Sequence, residues 1–273
     1  MASFSLPPLP SAAVYAELGQ ALRGVLPARR VVTDPLRLLA YGTDASLYRL
    51  VPRLVVIAEA EAEVRTVLEL CRRHRAPVTF RAAGTSLAGQ ALSESVLLLL
   101  GDHWNGIAIE RGGEAIRLQP GVVGAQANLR LLPYARKIGP DPASINAARI
   151  GGIAANNASG MCCGTHENSY QTLESMRIVL ADGTLLDTGS AGSRAAFAAS
   201  HGELLARLAA RRLTPTLLKT TFTISSLSCT RLSITIPSPQ TGWLMRMPAR
   251  YCCSTIFAGR AGEGSTQLVL FAP

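Results

Sequence analysis

Residues 151–160 read GGIAANNASG, and the rest of the sequence is interpreted from this stretch. It contains three glycines, three alanines, two asparagines, one serine and a single larger apolar residue, Ile153. So little apolar area cannot form a hydrophobic core. Small residues instead let the main chain come close to a ligand, and glycine also permits positive φ where the approach requires it. We therefore expect residues 151–160, the second small-residue segment, to be a binding loop.

A stretch of the same kind occurs earlier, where residues 81–90 read RAAGTSLAGQ. This first small-residue segment follows a predicted strand, Val78–Arg81, and successive backbone N–H groups with nearby hydroxyls suit a pyrophosphate. It matches neither the Walker P-loop nor the dinucleotide fingerprint G-x-G-x-x-G. Taken alone, it could equally be a tight turn between subdomains. The two segments together predict a large, phosphate-bearing ligand held mainly by main chain, which is a nucleotide cofactor.

Composition is that of a globular protein, with 273 residues, 48% hydrophobic and 16% charged. The longest aliphatic run, Val96–Leu100, is far shorter than a transmembrane helix requires. The N-terminus lacks a basic region and is broken by prolines, so no signal peptide is expected and a cytoplasmic location is predicted. The net charge of +9 is concentrated in residues 211–273, which hold seven basic residues and one acid. Because these basic residues are scattered without interleaved aromatics, nucleic-acid binding is disfavoured.

The cysteines do not predict a metal site. Six are present, as two adjacent pairs and two single residues, without C-x2-C spacing or a ferredoxin-like run. Without a secretory signal, a disulfide framework is not expected either. We expect reduced thiols, with Cys71 in the core on a helix. The six are Cys71, Cys162, Cys163, Cys229, Cys252 and Cys253.

Hydrophobic periodicity predicts an α+β architecture in two subdomains. Residues 1–50 form a helical lead-in, with helices at Ser11–Leu22, capped by Ser11, and after the cap at Asp34. Residues 51–210 form the main domain, which starts with a strand–helix–strand unit, and residues 211–273 form a Ser/Thr-rich tail. The tail is a loosely folded extension or the product of a reading-frame shift. The predicted main-domain elements are strands at Leu54–Ile57, Val78–Arg81, Val96–Leu100, Ile107–Glu110, Ile116–Gln119, Met176–Leu180 and Thr184–Leu186, and helices at Glu59–Arg75, Gly124–Lys137 and Arg194–Ala210.

Four motifs in order and with matching spacing carry a family resemblance. They are the two small-residue segments, residues 141–144 (DPAS) and residues 181–184 (ADGT). Residues 30–210 resemble the FAD-binding domain of the vanillyl-alcohol oxidase/p-cresol methylhydroxylase (PCMH-type) flavoproteins. Within that superfamily they are most similar to the D-lactate and D-2-hydroxyglutarate dehydrogenase branch, whose large members also carry an iron–sulfur domain.

The resemblance implies a PCMH-type fold of two α/β subdomains, the second with a mostly antiparallel sheet. It implies non-covalent FAD, because Thr85 and Ser86 stand where members with covalent flavin often have a histidine. In the implied site, the first segment wraps the pyrophosphate, the DPAS residues and the second segment lie along flavin and ribityl, and backbone of one strand holds the adenine. The implied FAD-binding residues are Arg81, Ala82, Ala83, Gly84, Thr85, Ser86, Gly89, Gln90, Asp141, Pro142, Ser144, Gly151, Gly152, Asn156, Asn157, Ser159, Gly160, Ile178 and Val179.

The implied activity is oxidation of a D-2-hydroxy acid, such as D-lactate or D-2-hydroxyglutarate, to a 2-oxo acid, with hydride transfer to FAD and electrons passing to an external acceptor. The implied activity is also compatible with contact between the protein and a membrane surface. Catalytic residues are not identified, because the family's substrate domain has no counterpart in this sequence, and the histidines His74, His103 and His201 are expected to be structural. His166 follows the second segment and could lie near the flavin. The alternatives are a truncated flavin-binding fragment without catalysis and a UDP-N-acetylenolpyruvoylglucosamine reductase-like enzyme.

Overall fold

The computed structural model describes residues 8–210 and the backbone of residues 227–235. The chain begins with helix α1 (Ala12–Arg23), the short strand β1 (Val31–Val32) and helix α2 (Pro35–Ala40). Both predicted cap positions are found: Ser11 precedes α1 but its side chain accepts no hydrogen bond from the helix, whereas Asp34 precedes α2 and accepts a 2.9 Å hydrogen bond from the Arg37 amide. This bond satisfies one of the amides left free at a helix start.

The first sheet contains the predicted strand–helix–strand unit. This unit is formed by β2 (Leu54–Ala58), α3 (Glu61–Arg73) and β3 (Val78–Arg81). With β4 (Val96–Leu100) and β1, its two strands form a sheet in the order β1-β2-β4-β3. Strands β2, β4 and β3 are parallel, and β1 runs antiparallel to β2. The apolar face of α3 packs with α1 on this sheet, forming the first core, in which Leu18, Leu54 and Val64 are fully buried.

The second sheet is antiparallel throughout its described pairs. Its order is β5-β6-β9-β7-β8, formed by β5 (Ile107–Glu110), β6 (Ala115–Leu118), β7 (Leu173–Leu180), β8 (Leu185–Asp187) and β9 (Leu227–Thr235). The hairpin predicted at Asp182-Gly183 is confirmed: Gly183 has φ +86°, and the Leu180 amide donates to the Thr184 carbonyl at 2.8 Å. Helices α4 (Gly124–Leu131), α5 (Ile150–Ala155) and α6 (Ser169–Thr172) lie between β6 and β7 in the chain.

Two predicted helices have different bounds in the structure. The helix predicted over 124–137 ends at Leu131 and continues as a 3-10 turn, because Pro133 cannot donate the next helical hydrogen bond. The helix predicted over 194–210 is two helices, α7 (Ala191–Ser200) and α8 (Gly202–Ala210). His201 interrupts them with non-helical angles, and the following Gly202 is a weak helix former.

Strand β9 lies within the predicted tail, where no strand was expected. It falls between Pro215 and Pro237, so the prolines of the tail leave room for a strand of nine residues. Residues 211–226 and 236–273 lie outside the described residues, and so do the predictions made for them.

Three hydrogen-bonded contacts and one strand join the two sheets with the elements packed on them, and the first of these contacts runs from Arg65 Nε on α3 to the Gly183 carbonyl at 3.1 Å. The Arg177 guanidinium on β7 binds both carboxylate oxygens of Glu61 on α3, at 2.8 and 2.9 Å. The Arg149 guanidinium donates to the Leu100 carbonyl at 3.2 Å. On β7, Ile178 packs in the second core and its neighbour Val179 in the first. In the described part of the chain, no helix is long and apolar enough to cross a membrane.

Candidate functional site

The first small-residue segment leaves the carboxyl end of β3, as predicted. This end of a parallel sheet is where α/β proteins commonly bind ligands. Gly84 and Gly89 have φ of +69° and +72°, which glycine adopts without strain. The backbone N–H groups of Gly84, Thr85 and Ser86 donate to no acceptor within residues 8–210. The segment therefore offers consecutive free donors, the arrangement suited to a phosphate.

A loop within the predicted helical lead-in holds this segment in place. In residues 43–48, the clamp loop, the Ala45 amide donates to the Gly84 carbonyl at 2.9 Å. Asp44 shapes the loop by accepting a 2.8 Å hydrogen bond from the Ser46 amide, and the Tyr48 ring lies against Gly89. The Asp-x-Ser spacing is the sequence signal that could have predicted an ordered turn here, since Asp commonly hydrogen-bonds the amide two residues ahead.

Arg81, the last residue of β3, is buried beneath the first segment, with only 8% of its surface exposed. Its Nε donates to the Ala91 carbonyl at 2.9 Å, and its Nη1 donates to the Thr43 carbonyl at 3.1 Å. Burial lowers the pKa of Arg81, and the nearby Asp44 carboxylate opposes that shift. Two buried side-chain polar atoms in the described residues have no hydrogen-bond partner, and they are Arg81 Nη2 and Asp44 Oδ2.

The second small-residue segment is not simply a loop, contrary to the prediction. Its first half forms α5, and its second half is the turn that follows. Helix formation is possible because the Gly151 amide is satisfied by the Pro120 carbonyl at 2.9 Å and Ile153 is anchored in the second core. Asn157 ends the helix region with φ +44°, and its side-chain oxygen accepts from the Tyr170 amide at 3.0 Å.

The two segments meet in the structure. A Cβ atom on Gly152 would lie 3.8 Å from the Cβ of Ala82, in van der Waals contact. Because both residues are small, main chain from the two subdomains comes together at this point. The structure therefore brings together the two sequence features from which a cofactor was predicted.

Asp141 joins the DPAS motif to the second segment. Gly160 lies so close to Asp141 that a Cβ there would overlap the Asp141 backbone oxygen. The Cys163 amide donates to Asp141 Oδ1 at 3.3 Å, and the Gly160 amide donates to Cys163 Sγ at 3.1 Å. Pro142 is buried, and the Ser144 carbonyl accepts from the Ala148 amide at 2.7 Å. The motif and the segment thus form one connected unit.

The remaining predicted site residues lie inside the second sheet. Ile178 and Val179 are buried in β7, where they pair with Leu186 and Leu185 of β8. Their contact with adenine stays a prediction.

Two histidines have carboxylate neighbours outside both segments. His201 stacks on Phe197, with ring centroids 4.4 Å apart, and its Nε2 lies 3.0 Å from Asp182 Oδ2. His103 is 78% exposed, with Nδ1 3.7 Å from Glu59 Oε2. These contacts fit the structural roles expected for both. His166 is exposed, six positions after Gly160.

Comparison with known families decides which cofactor this geometry serves. Residues 52–189 match the family described as FAD binding domain, over half of the chain. The chain belongs to this family. Residues 52–189 include both small-residue segments, the DPAS motif and the hairpin.

Curated relatives of this FAD-binding domain are enzyme components. It is 34% identical over 173 residues to "Glycolate oxidase subunit GlcD" of Escherichia coli (strain K12), covering 62% of this chain and 35% of that one. It is 32% identical over 155 residues to "D-2-hydroxyglutarate dehydrogenase" of the same strain, covering 55% of this chain and 15% of that one. The chain thus spans about a third or less of the length of these two relatives.

Solved structures confirm the fold. The chain superposes on p-cresol methylhydroxylase with a TM-score of 0.62 at 16% identity, covering 84% of this chain and 45% of that one. The predicted PCMH-type fold, with two α/β subdomains and an antiparallel second sheet, is therefore confirmed.

The residues fit FAD. The first segment supplies unused N–H donors beside positive-φ glycines. Small residues at Ala82 and Gly152 bring main chain of both segments to one place, where a ligand held mainly by backbone can contact the two together. The prediction of FAD as the cofactor is confirmed by the family match.

Proposed function

We propose that this chain is the FAD-carrying part of an oxidoreductase that acts on 2-hydroxy acids. When bound, FAD supplies the hydride acceptor for oxidation of the hydroxyl-bearing carbon, and electrons then pass to an external acceptor. The meeting of the two small-residue segments at Ala82 and Gly152 is the structural observation that carries this proposal. The substrate class is supported by the printed activities of the relatives, glycolate oxidase and D-2-hydroxyglutarate dehydrogenase.

In this proposal the protein binds and orients FAD mainly with backbone. The first segment holds the pyrophosphate through its free N–H groups, and the second segment packs against flavin and ribityl with Asp141, Pro142 and Ser144 beside it. The backbone at Ile178 and Val179 holds the adenine end. The full set is Arg81, Ala82, Ala83, Gly84, Thr85, Ser86, Gly89, Gln90, Asp141, Pro142, Ser144, Gly151, Gly152, Asn156, Asn157, Ser159, Gly160, Ile178 and Val179.

We also propose that FAD is held without a covalent bond and that the protein is cytoplasmic, with residues 51–210 as the FAD domain. Thr85 and Ser86 offer hydroxyls rather than an imidazole for attachment. Acid precipitation tests the first point, since all flavin should remain in the supernatant. Flavin that stays with the pellet would contradict non-covalent binding.

A second function is a flavin-binding domain without turnover of its own. It is supported by the contacts of two histidines, since His201 contacts Asp182 and His103 contacts Glu59, both outside the two segments. A catalytic base is therefore not assigned.

Anaerobic flavin spectroscopy separates the two functions. The purified chain is loaded with FAD and mixed with D-lactate, D-2-hydroxyglutarate or glycolate, with L-lactate as the matched control. Bleaching of the flavin bands by one of the first three supports the oxidoreductase. FAD binding without bleaching supports the second function, and a chain that does not bind FAD refutes both.

A further inference from the structure

The guanidinium of Arg81 connects two loops that are far apart in sequence. Its Nε binds the carbonyl of Ala91, the residue directly after the first segment. Its Nη1 binds the carbonyl of Thr43, the first residue of the clamp loop. One side chain thus fixes the exit of the first segment and the start of the clamp loop, and it does so from the strand where the segment begins.

The first segment packs over the stem of this side chain. A Cβ at Gly84 would lie 3.4 Å from Arg81 Cδ and 3.5 Å from Asp44 Cβ, so Gly84 lies between the two side chains. The Gly84 carbonyl in turn accepts from the Ala45 amide at 2.9 Å. Arg81, Gly84 and the clamp loop therefore form a closed set of contacts within the protein itself.

These contacts do not resemble those of an arginine that binds phosphate directly. Such an arginine presents its fork of donors to the anion. In Arg81 two of the three nitrogens are already used on carbonyls, and the residue is buried. The carboxylate of Asp44 lies close enough for its charge to act on the guanidinium, and it would repel an anion approaching the third nitrogen.

We propose that Arg81 is a positioning residue, which holds the first segment and the clamp loop in the FAD-binding conformation before the cofactor arrives. Only the expected effect on FAD affinity rests on the proposed function. The preformed loop itself is a property of the protein without FAD. Preorganisation of this kind improves affinity by removing the ordering cost from the binding step.

Hydrogen exchange of the FAD-free protein tests the preformed loop directly. Arg81→Lys and Arg81→Gln are compared with Arg53→Lys, since Arg53 is exposed before β2 and its side chain makes no hydrogen bond with the described residues. The hydrogen-bonded amides of the two loops, which are those of Ala45, Ser46, Tyr48 and Ala88, should exchange about tenfold faster or more in both Arg81 variants, as expected when a buried charged donor no longer holds the loops. Unchanged exchange in these loops would overturn the proposal, whether or not the protein binds FAD.

FAD titration then separates positioning from direct phosphate binding. Lysine keeps the charge but cannot span two carbonyls in the fixed geometry of a guanidinium. Arg81→Lys should therefore lose FAD affinity about as severely as Arg81→Gln, roughly tenfold or more. Affinity within about threefold of wild type for Arg81→Lys alone would instead assign a phosphate-binding charge and overturn the proposal.

Asp44→Asn changes FAD affinity in opposite directions under the two roles considered for Arg81. It provides the test if the Arg81 variants do not fold. Removing the carboxylate leaves the buried guanidinium without a counter-charge, so a positioning role predicts faster exchange in residues 43–48 and weaker FAD binding. A phosphate-binding role predicts tighter FAD binding, because the repelling charge is gone. Tighter binding would overturn the proposal. Failure of wild type to bind FAD would refute the proposed function and leave the exchange result standing.

Discussion

Gly152 and Ala82 approach each other so closely that a Cβ on Gly152 would lie 3.8 Å from that of Ala82. The contact is within ordinary van der Waals range, so the protein itself tolerates a methyl group at this position. A small residue is needed at Gly152 only if a ligand uses the remaining space. This separates a structural role for Gly152 from a binding role.

Gly152→Ala is therefore expected to leave folding intact and weaken FAD binding. Alanine in α5 should change the free energy of unfolding by zero to about 1 kcal/mol in the stabilising direction. FAD affinity should fall roughly tenfold, from about 1.4 kcal/mol of steric strain. Gly192→Ala in α7 is the matched control, because no atom lies within 4 Å of its Cβ position. Urea unfolding and FAD titration check both, and unchanged affinity in Gly152→Ala would remove Gly152 from the site.

Gly160→Ala should destabilise the protein even without cofactor. The new Cβ would overlap the Asp141 backbone oxygen, and backbone cannot move aside as a flexible side chain can. We expect a loss of about 2 kcal/mol in the free energy of unfolding. Gly202→Ala, with open space around its Cβ, should cost nothing measurable. Equal unfolding midpoints for the two variants would contradict the close approach of Gly160 to Asp141.

The ion pair between Glu61 and Arg177 should contribute more to stability than an ordinary surface pair. The hydrogen bonds raise the pKa of Arg177, and the Glu61 side chain is 13% exposed. Glu61→Gln should cost about 1–2 kcal/mol, because a partly buried arginine loses its counter-charge. Glu69→Gln removes an exposed pair with Arg73 within α3 and should cost clearly less than Glu61→Gln, because solvent screens the exposed charges. Chemical denaturation of both variants tests this order, and a reversed order would refute it.

Acidification should remove a contribution made by Asp182. Burial alone would raise the pKa of this carboxyl, but hydrogen bonds from the Thr184 amide and His201 outweigh it and lower the pKa. A lowered folded-state pKa stabilises the fold above the ordinary value of 3.8, and the contribution disappears as pH falls through the folded value. The melting temperature of wild type should therefore exceed that of Asp182→Asn at pH 6. The difference between the two melting temperatures should shrink below about pH 4. A difference that grows on acidification would show the wrong sign.

The described cysteines should differ in reactivity. Burial raises the pKa of Cys71 to about 12, and Cys163 is buried, so neither should react in the folded protein. Cys162 is exposed, but its hydrogen bond to Asp141 and the charge of that carboxylate raise the pKa of the thiol. Asp141→Asn should therefore speed alkylation of Cys162 at pH 8, since the thiolate is the reactive form. Peptide mapping by mass spectrometry measures each rate, and unchanged labelling of Cys162 would contradict the interaction.

Much of the fold could be predicted because local patterns and tertiary packing agree. The alternation around α3 and the turn at Asp182-Gly183 determine element type from a few neighbouring residues. The bounds at Leu131 and His201 were wrong, because Pro133 and the non-helical backbone at His201 interrupt helices whose apolar pattern continues. Strand β9 was missed because its place in the sheet comes from pairing with β6 and β7, which are distant in sequence.

The site was predicted where it depends on small residues and missed where it depends on tertiary contact. Composition alone identified both segments. Composition could not show that residues 150–155 are helical, since that depends on the Pro120 carbonyl and on the burial of Ile153. The clamp loop was missed for the same reason, because Thr43 and Ala45 act only through bonds to Arg81 and Gly84.

Strand β7 has a consequence for how the domain unfolds. Ile178 and Val179 are adjacent, yet one is buried in the core of each subdomain. A slip of one residue in this strand would exchange the two side chains between cores, so both cores select the same register. We therefore expect the two cores to melt together. In a Trp243→Phe variant, fluorescence of Trp104, in the first core, and hydrogen exchange of β6, in the second, should report one shared unfolding midpoint.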